Sequence, residues 1–437
     1  MPNAERGGLE RFGPFRHPPF TAYWLGGMVS NSGTWLQSVA GSVYVYDRTG
    51  SALAVGVLNF ATFLPILLFS VWGGRISDRI DRRTVVIATH AASGALSLVL
   101  AIGIALGVAS EIHVVATAFL LQTSWAIAKP SLQAMLPDLV PRAELEEAVG
   151  LNTLQFISGQ LAGPLLATLI LATRGPAWAF GVNSVTFLAP ILSMAYLARR
   201  GIGGGAGARP RTAGRGAGEG GVVGYIREQP WVASALLVVV CTSAIFEVIR
   251  TTAPVLVSQR LGEPTSSAGI VVAAQSVGSA LGVLAFVPLK RLGLSRPVAS
   301  LGLVLQAAGL AGLSFATSMP AAIVAGIPLG MGFSFCFPVV TGALQAEVPD
   351  AMRGRLMSLH QMALLGNRPF TALAAGAVAA SFGVPAALLS GTLLAPFGLY
   401  AIRSAWRRLD ARPATLGSVA EARTAARPLR GDDPDPL

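Results

Sequence analysis

Residues 132–138 read L-Q-A-M-L-P-D and residues 344–350 read L-Q-A-E-V-P-D, which is five identities in seven positions at a spacing of 212. Each copy leaves a long apolar run and enters a polar stretch. Matched punctuation at one fixed spacing is the mark of a duplicated unit, so the chain reads as two halves of like construction. Outward from the first copy, apolar segments run at about 20–46, 53–74, 84–107, 112–135, 148–173 and 176–198. Around the second they run at about 231–258, 267–289, 297–316, 320–344, 356–380 and 384–402. A hydrocarbon core about 30 Å thick takes about 20 apolar residues in a helix, and every segment reaches that length. The expectation is an all-α membrane protein of twelve transmembrane helices in two six-helix bundles.

Composition agrees. Of 437 residues 53% are hydrophobic and 12% charged, against about a quarter charged in a soluble domain. The domain reading is an N-terminal bundle over 1–198 with a short cytoplasmic tail at 1–19, and a C-terminal bundle over 231–402. Between them the Gly- and Arg-rich stretch 199–230 is too polar to bury and is expected to be a flexible cytoplasmic linker. Residues 403–437 read as a disordered cytoplasmic tail. The net charge of +11 comes from short clusters between apolar runs, which argues against nucleic-acid binding. With both termini cytoplasmic, 26 of the 32 Lys and Arg fall on that side. The positive-inside rule therefore sets this orientation, in a bacterial inner membrane. Cys241 and Cys336 lie inside apolar runs and form no metal spacing, so neither a metal nor a cofactor is expected.

Spans two and three are joined by G-R-I-S-D-R-I-D-R-R, Gly74 to Arg83, a hairpin too short to fold alone. Its charges must lock neighbouring helix ends. Asp78 can sit near helix N-termini and Arg79, while Arg82 and Arg83 can meet carboxylates or lipid phosphates, contacts able to favour one access state. In span five, Gly150 is followed by Gly159, Gly163 and Pro164. Gly159 and Gly163 lie one turn apart and permit close backbone approach, and Pro164 bends the helix.

The hairpin resembles the signature loop of the major facilitator superfamily, G-x-L-a-D-r-x-G-r-k, with Asp81 in place of the second glycine. Its D-R-x-D-R-R form is similar to the branch that holds siderophore, macrolide and other small-molecule exporters. Four further segments fit that branch: S-N-S-G-T-W-L-Q-S-V-A from Ser30, T-G-S-A-L-A-V-G from Thr49, L-P-D-L-V-P-R-A-E-L from Leu136 and V-P-D-A-M-R-G-R-L-M-S-L from Val348. The glycines of span five resemble the superfamily's antiporter motif, although its final Gly pair is Ala167-Thr168 here. The resemblance covers about residues 18–400. It implies two rigid halves rocking about a mid-plane site, and export of a small molecule in exchange for protons by a monomer.

Span one is polar for a lipid-facing helix. Asn31, Thr34 and Gln37 are candidates to line the cavity, and gluing helices together is the other reading of such residues. The resemblance puts an acidic residue where Thr34 stands, and the chain departs from the family pattern there. Lys129, Glu247, Arg250 and Arg368 are charges at membrane depth, where each must be paired or hydrated. Lys129 reads either as a snorkelling side chain or as a substrate contact. His90 and His360 read as hydrated histidines near an interface. Glu247 and Arg250 share a helix face at i, i+3, and one carboxylate cannot neutralise both Arg250 and Arg368. Two readings follow: Glu247 titrates, freeing an arginine for an anionic or carbonyl-rich substrate when protonated, or the charges form a permanent structural pair. No phosphate-binding loop, H-E-x-x-H or G-x-S-x-G occurs, so an enzyme is not expected. Uptake or facilitated diffusion of a nutrient is the alternative within transport, and a non-transporting sensor or scaffold the alternative outside it.

Overall fold

The computed structural model describes residues 13–204 and 221–411, and among these it is helical throughout, with no strand. The first half comprises α1 (Pro18–Thr49), α2 (Ala52–Arg79), α3 (Arg82–Ala105), α4 (Glu111–Met135), α5 (Leu145–Arg174) and the in-line pair α6 (Pro176–Thr186) and α7 (Leu188–Arg199). A short helix, α8 (Gly221–Glu228), precedes the second half. That half comprises α9 (Pro230–Leu256), α10 (Ala268–Arg291), α11 (Ser295–Phe315), α12 (Met319–Glu347), α13 (Asp350–Leu365) with α14 (Arg368–Phe382), and α15 (Val384–Thr392) with α16 (Leu394–Asp410). Among the described residues ten helical stretches are long and apolar enough to cross a membrane. The polar α1 and the interrupted α13–α14 complete the twelve.

The helix ends follow local rules. Ser51 caps α2 by accepting from the Ala54 amide, and Asp81 caps α3 by accepting from the amides of Arg83 and Thr84. Gly50 closes α1 at φ +60°, a left-handed turn that costs glycine nothing. Pro369 has no N–H to donate back into α13, so a new helix starts at Arg368. Large apolar side chains such as Val99, Leu192, Phe315 and Phe382 are exposed on the outer faces, which a bilayer solvates and water would not. α9 runs through the middle and is buried along most of its length.

Two parts of the segments expected to be flexible are ordered. Within 199–230 the residues 221–228 form α8, because Val222, Tyr225 and Ile226 give it one apolar face to lay on the core. Beyond residue 402, α16 continues to Asp410, where Arg296 grips the Asp410 carboxylate at 2.8 Å. Residues 1–12, 205–220 and 412–437 of the expected tails and linker lie outside the described residues.

The turns at Gly50 and Gly262 mark one end of the molecule and the hairpin Gly74–Arg83 marks the other, here the turn end and the basic end. The halves are pressed together toward the turn end. Gly56 of α2 meets the backbone of Ala372 and Gly376 on α14. Gly269 of α10 touches the carbonyl of Pro164 on α5 so closely that a Cβ would not fit. Gln259 donates to the Tyr46 hydroxyl at 3.1 Å, and the Ser276 hydroxyl donates to the Gln160 carbonyl at 3.0 Å. Toward the basic end, Gly150 on α5 and Gly342 on α12 face open space.

Candidate functional site

At mid-depth, where the halves meet, α9 and α14 bring three charges together. Glu247 is fully buried, and its Oε1 and Oε2 lie 3.6 Å from Arg250 Nη1 and 3.6 Å from Arg368 Nη1 respectively. Neither oxygen accepts a hydrogen bond. At this separation each pair attracts by about 4–5 kcal/mol at an effective dielectric of about 20, so one carboxylate holds two guanidiniums in a symmetrical fork. The arginines keep 9% and 10% of their side chains exposed while the carboxylate keeps none. An incoming molecule therefore meets the cations first.

The first half supplies the other wall. Arg250 Nη2 donates to Ser38 Oγ at 2.7 Å and its guanidinium lies 4.4 Å from the Trp35 ring centre. Phe63 of α2 lies 5.2 Å from Arg250 and 5.4 Å from Arg368, under both cations. Such contacts contribute about 0.5–2 kcal/mol each. Ser243, one turn before Glu247, accepts from Arg368 Nε at 3.4 Å and donates to the Leu364 carbonyl at the end of α13. Asn59 donates to Thr251 Oγ1 across the same boundary. Lys129 reaches this region too: its ammonium sits 4.3 Å from the Trp125 ring centre, close enough to Arg368 for the two cations to repel.

The candidates of span one lie elsewhere. Asn31 donates to the carbonyls of Gln155 and Phe156, clamping α1 to α5. Thr34 bonds the Ser30 carbonyl within its own helix. Gln37 accepts from Ser97 and Asn183 inside the first half. The residues that reach the charges are Trp35 and Ser38, spaced i, i+3. Their face of α1 was readable as a face, but not as the one turned toward the second half.

In the hairpin, Asp81 chelates Arg83, receiving Nη2 at 2.8 Å and Nε at 3.2 Å, and these hydrogen bonds hold its carboxyl below the ordinary carboxylate range. Arg82 donates to the Ala134 carbonyl at 3.0 Å and approaches Asp138 at 3.5 Å, so the hairpin is tied to the first L-Q-A-x-x-P-D copy. Asp78 is exposed in the last turn of α2 and has no ion pair among the described residues, and Arg79 is exposed beside it. Gly74 borders open space. In α5, Gly159 fits against Asn31 and Ser32, Gly163 fits against Ser32, Trp35 and Leu36, and Pro164 meets α10. The glycine run therefore packs α1 while the proline faces the other half.

The sequence profile of the transmembrane secretion effector family matches residues 9–421. The chain belongs to that family, within the major facilitator superfamily. It is a membrane transporter rather than an enzyme. The transporter is 25% identical over 385 residues to the multidrug efflux pump Tap of Mycolicibacterium fortuitum, covering 86% of this chain and 92% of Tap. It is 27% identical over 161 residues to the staphyloferrin A transporter of Staphylococcus aureus, and 28% identical over 184 residues to the enterobactin exporter EntS of Shigella boydii. Those matches cover 37% and 41% of this chain but only 41% and 44% of the relatives. Among solved structures, a POT family transporter in complex with a thioalcohol-conjugated peptide aligns with TM-score 0.72 at 10% identity, over 89% of this chain and 96% of that one. An inward-facing, occupied bacterial homologue of Spinster aligns with TM-score 0.67 at 13% identity, over the same shares. These likenesses concern the fold.

Proposed function

We propose that this transporter exports a small amphipathic molecule across a bacterial inner membrane by alternating access, as a monomer, and that Glu247 carries the proton exchanged for it. The observation that carries the reading is the Arg250–Glu247–Arg368 fork at the boundary of the halves. Charges at this depth are retained where cargo or ions pass. Export is supported by relatives named as an efflux pump and an exporter. The positive-inside bias supports cytoplasmic termini. The seal at the turn end would then close the outside and leave the site open to the cytoplasm.

Linkage fixes the polarity of coupling. If protonation of Glu247 freed an arginine for the cargo, proton and cargo would bind together, and an inward proton gradient would drive import. Export requires turns: cargo while Glu247 is ionised, proton on the empty return. The fork favours that order, because an ionised Glu247 holds both guanidiniums in place and a neutral one releases them. The test uses everted vesicles and the compound that a deletion strain fails to expel. An acidified interior should drive its accumulation by the parent, whereas Glu247→Gln should exchange it passively without concentrating it. Binding to the purified protein should weaken as pH falls. Binding that strengthens in acid would make the protein an importer, and an unchanged proton dependence in Glu247→Gln would remove Glu247 from coupling.

A further inference from the structure

Beside Glu247 begins a row of rings that no ion pair or capping role accounts for. Phe246 lies 4.5 Å from Phe333 between ring centres, Phe333 stacks on Phe337 at 5.2 Å with 10° between planes, and Phe337 lies 5.4 Å from the His360 ring. The row crosses from α9 through α12 to α13, from mid-depth toward the basic end. Its far member is fixed by a hydrogen bond between Thr341 and His360 at 3.0 Å. Phe333 and Phe337 are only partly buried. In the first half, Trp125 carries Lys129, and Phe156, 44% exposed, stands edge-on to Trp35 at 5.9 Å. Rings therefore occur on both sides of the boundary below the fork.

The charges narrow the chemistry further. Arg250, Arg368 and Lys129 supply three positive charges, and among the described residues Glu247 is the carboxylate paired with the two arginines. The surplus repels a cation and presents N–H donors to oxygen acceptors. We propose that the cargo is a planar aromatic molecule bearing acceptor oxygens, with its ring on the Phe333–Phe337 stack and its oxygens at Arg250, Arg368 and Lys129. This rests on reading the boundary between the halves as the cargo path. Carbonyl and carboxylate oxygens share the recognition chemistry, and the arms of the test separate them.

The test is equilibrium binding to the full-length protein in nanodiscs, with empty nanodiscs as background. Four probes of one size are compared: 2-naphthamide, 2-naphthoate, 2-naphthylmethylammonium and decahydronaphthalene-2-carboxylate. The amide, the naphthoate or both should bind at least about tenfold more tightly than the ammonium probe, because the site's surplus charge disfavours a cation. The saturated carboxylate should bind more weakly than naphthoate. Lys129→Gln should weaken naphthoate binding with Lys129→Arg restoring it, and Phe337→Leu should weaken the amide and the naphthoate, each variant melting like the parent. Equal or tighter binding of the ammonium probe overturns the proposal, as does absence of binding by all four or parity of the saturated and aromatic carboxylates. Binding needs neither a direction nor a proton gradient. Naphthoate that binds but crosses vesicles only in the import direction would therefore count against export while leaving the cargo class intact.

Discussion

Glu247 balances two guanidiniums, so the fork is asymmetric in what it tolerates. Replacing the carboxylate by an amide leaves Arg250 and Arg368 facing each other without an anion, and breaking a buried pair in that way costs about 3–5 kcal/mol. Removing Arg368 instead leaves Glu247 matched one to one with Arg250. Arg368→Met should therefore lower the melting temperature less than Glu247→Gln does, while abolishing transport. A larger loss for Arg368→Met would mean that the second guanidinium is needed for folding. The charges and the i, i+3 spacing of Glu247 and Arg250 were legible in the sequence. Their partners Trp35, Ser38 and Phe63 were not, because contact across the boundary depends on the rotation of helices about 200 residues apart, which helical period within one span does not set.

At the scale of elements, the seal toward the turn end is made by small residues at helix crossings. Gly269→Ala places a Cβ against the Pro164 carbonyl, where backbone and not a flexible side chain must yield. The substitution should wedge α10 from α5. It should also raise the reactivity of a cysteine introduced at Ser276 toward a membrane-impermeant thiol reagent from the turn end. Unchanged labelling would show that the crossing does not close that side. The motif reading identified Gly159, Gly163 and Pro164 as a packing surface, but Gly269 belongs to no motif and emerged only from the paired helices. The basic hairpin was likewise legible as a charged lock, and its distribution of work was not: Asp81, read as a departure from the family pattern, caps α3 and holds Arg83. Since Asp81 titrates below its ordinary value, the folded form gains from ionisation. That contribution is complete above the unfolded carboxylate pKa near 4 and is lost as pH falls through the lower folded value. Amide protection at Arg83 and Thr84, corrected for intrinsic exchange, should hold constant from neutral pH down to about 5. In Asp81→Ala, which removes the capping acceptor, it should be low at every pH.

For the whole molecule, a duplicated six-helix unit explains why crossings recur in pairs: α2 meets α14 as α5 meets α10. Two such seams on either side of the mid-depth fork make a hinge about which the halves can rock as rigid bodies. In the conformation described, the seams are closed and Asp78 has no ion pair among the described residues. If Asp78 stabilises an access state, it must be the opposite one, with the basic end shut, since a group biases an equilibrium only through contacts that differ between states. Asp78→Asn should then shift the population toward the present conformation and slow turnover, leaving the melting temperature near that of the parent. Spin labels at Gly150 and Gly342 would report the basic end, both positions having room for a side chain. Labels at Leu106 and Phe382, 71% and 77% exposed, would report the turn end. Rocking requires the two distances to change in opposite senses, so Asp78→Asn should lengthen the first mean distance and shorten the second. If both move the same way the halves do not rock about the fork, and if neither moves while transport still falls, Asp78 acts on a step other than the access equilibrium.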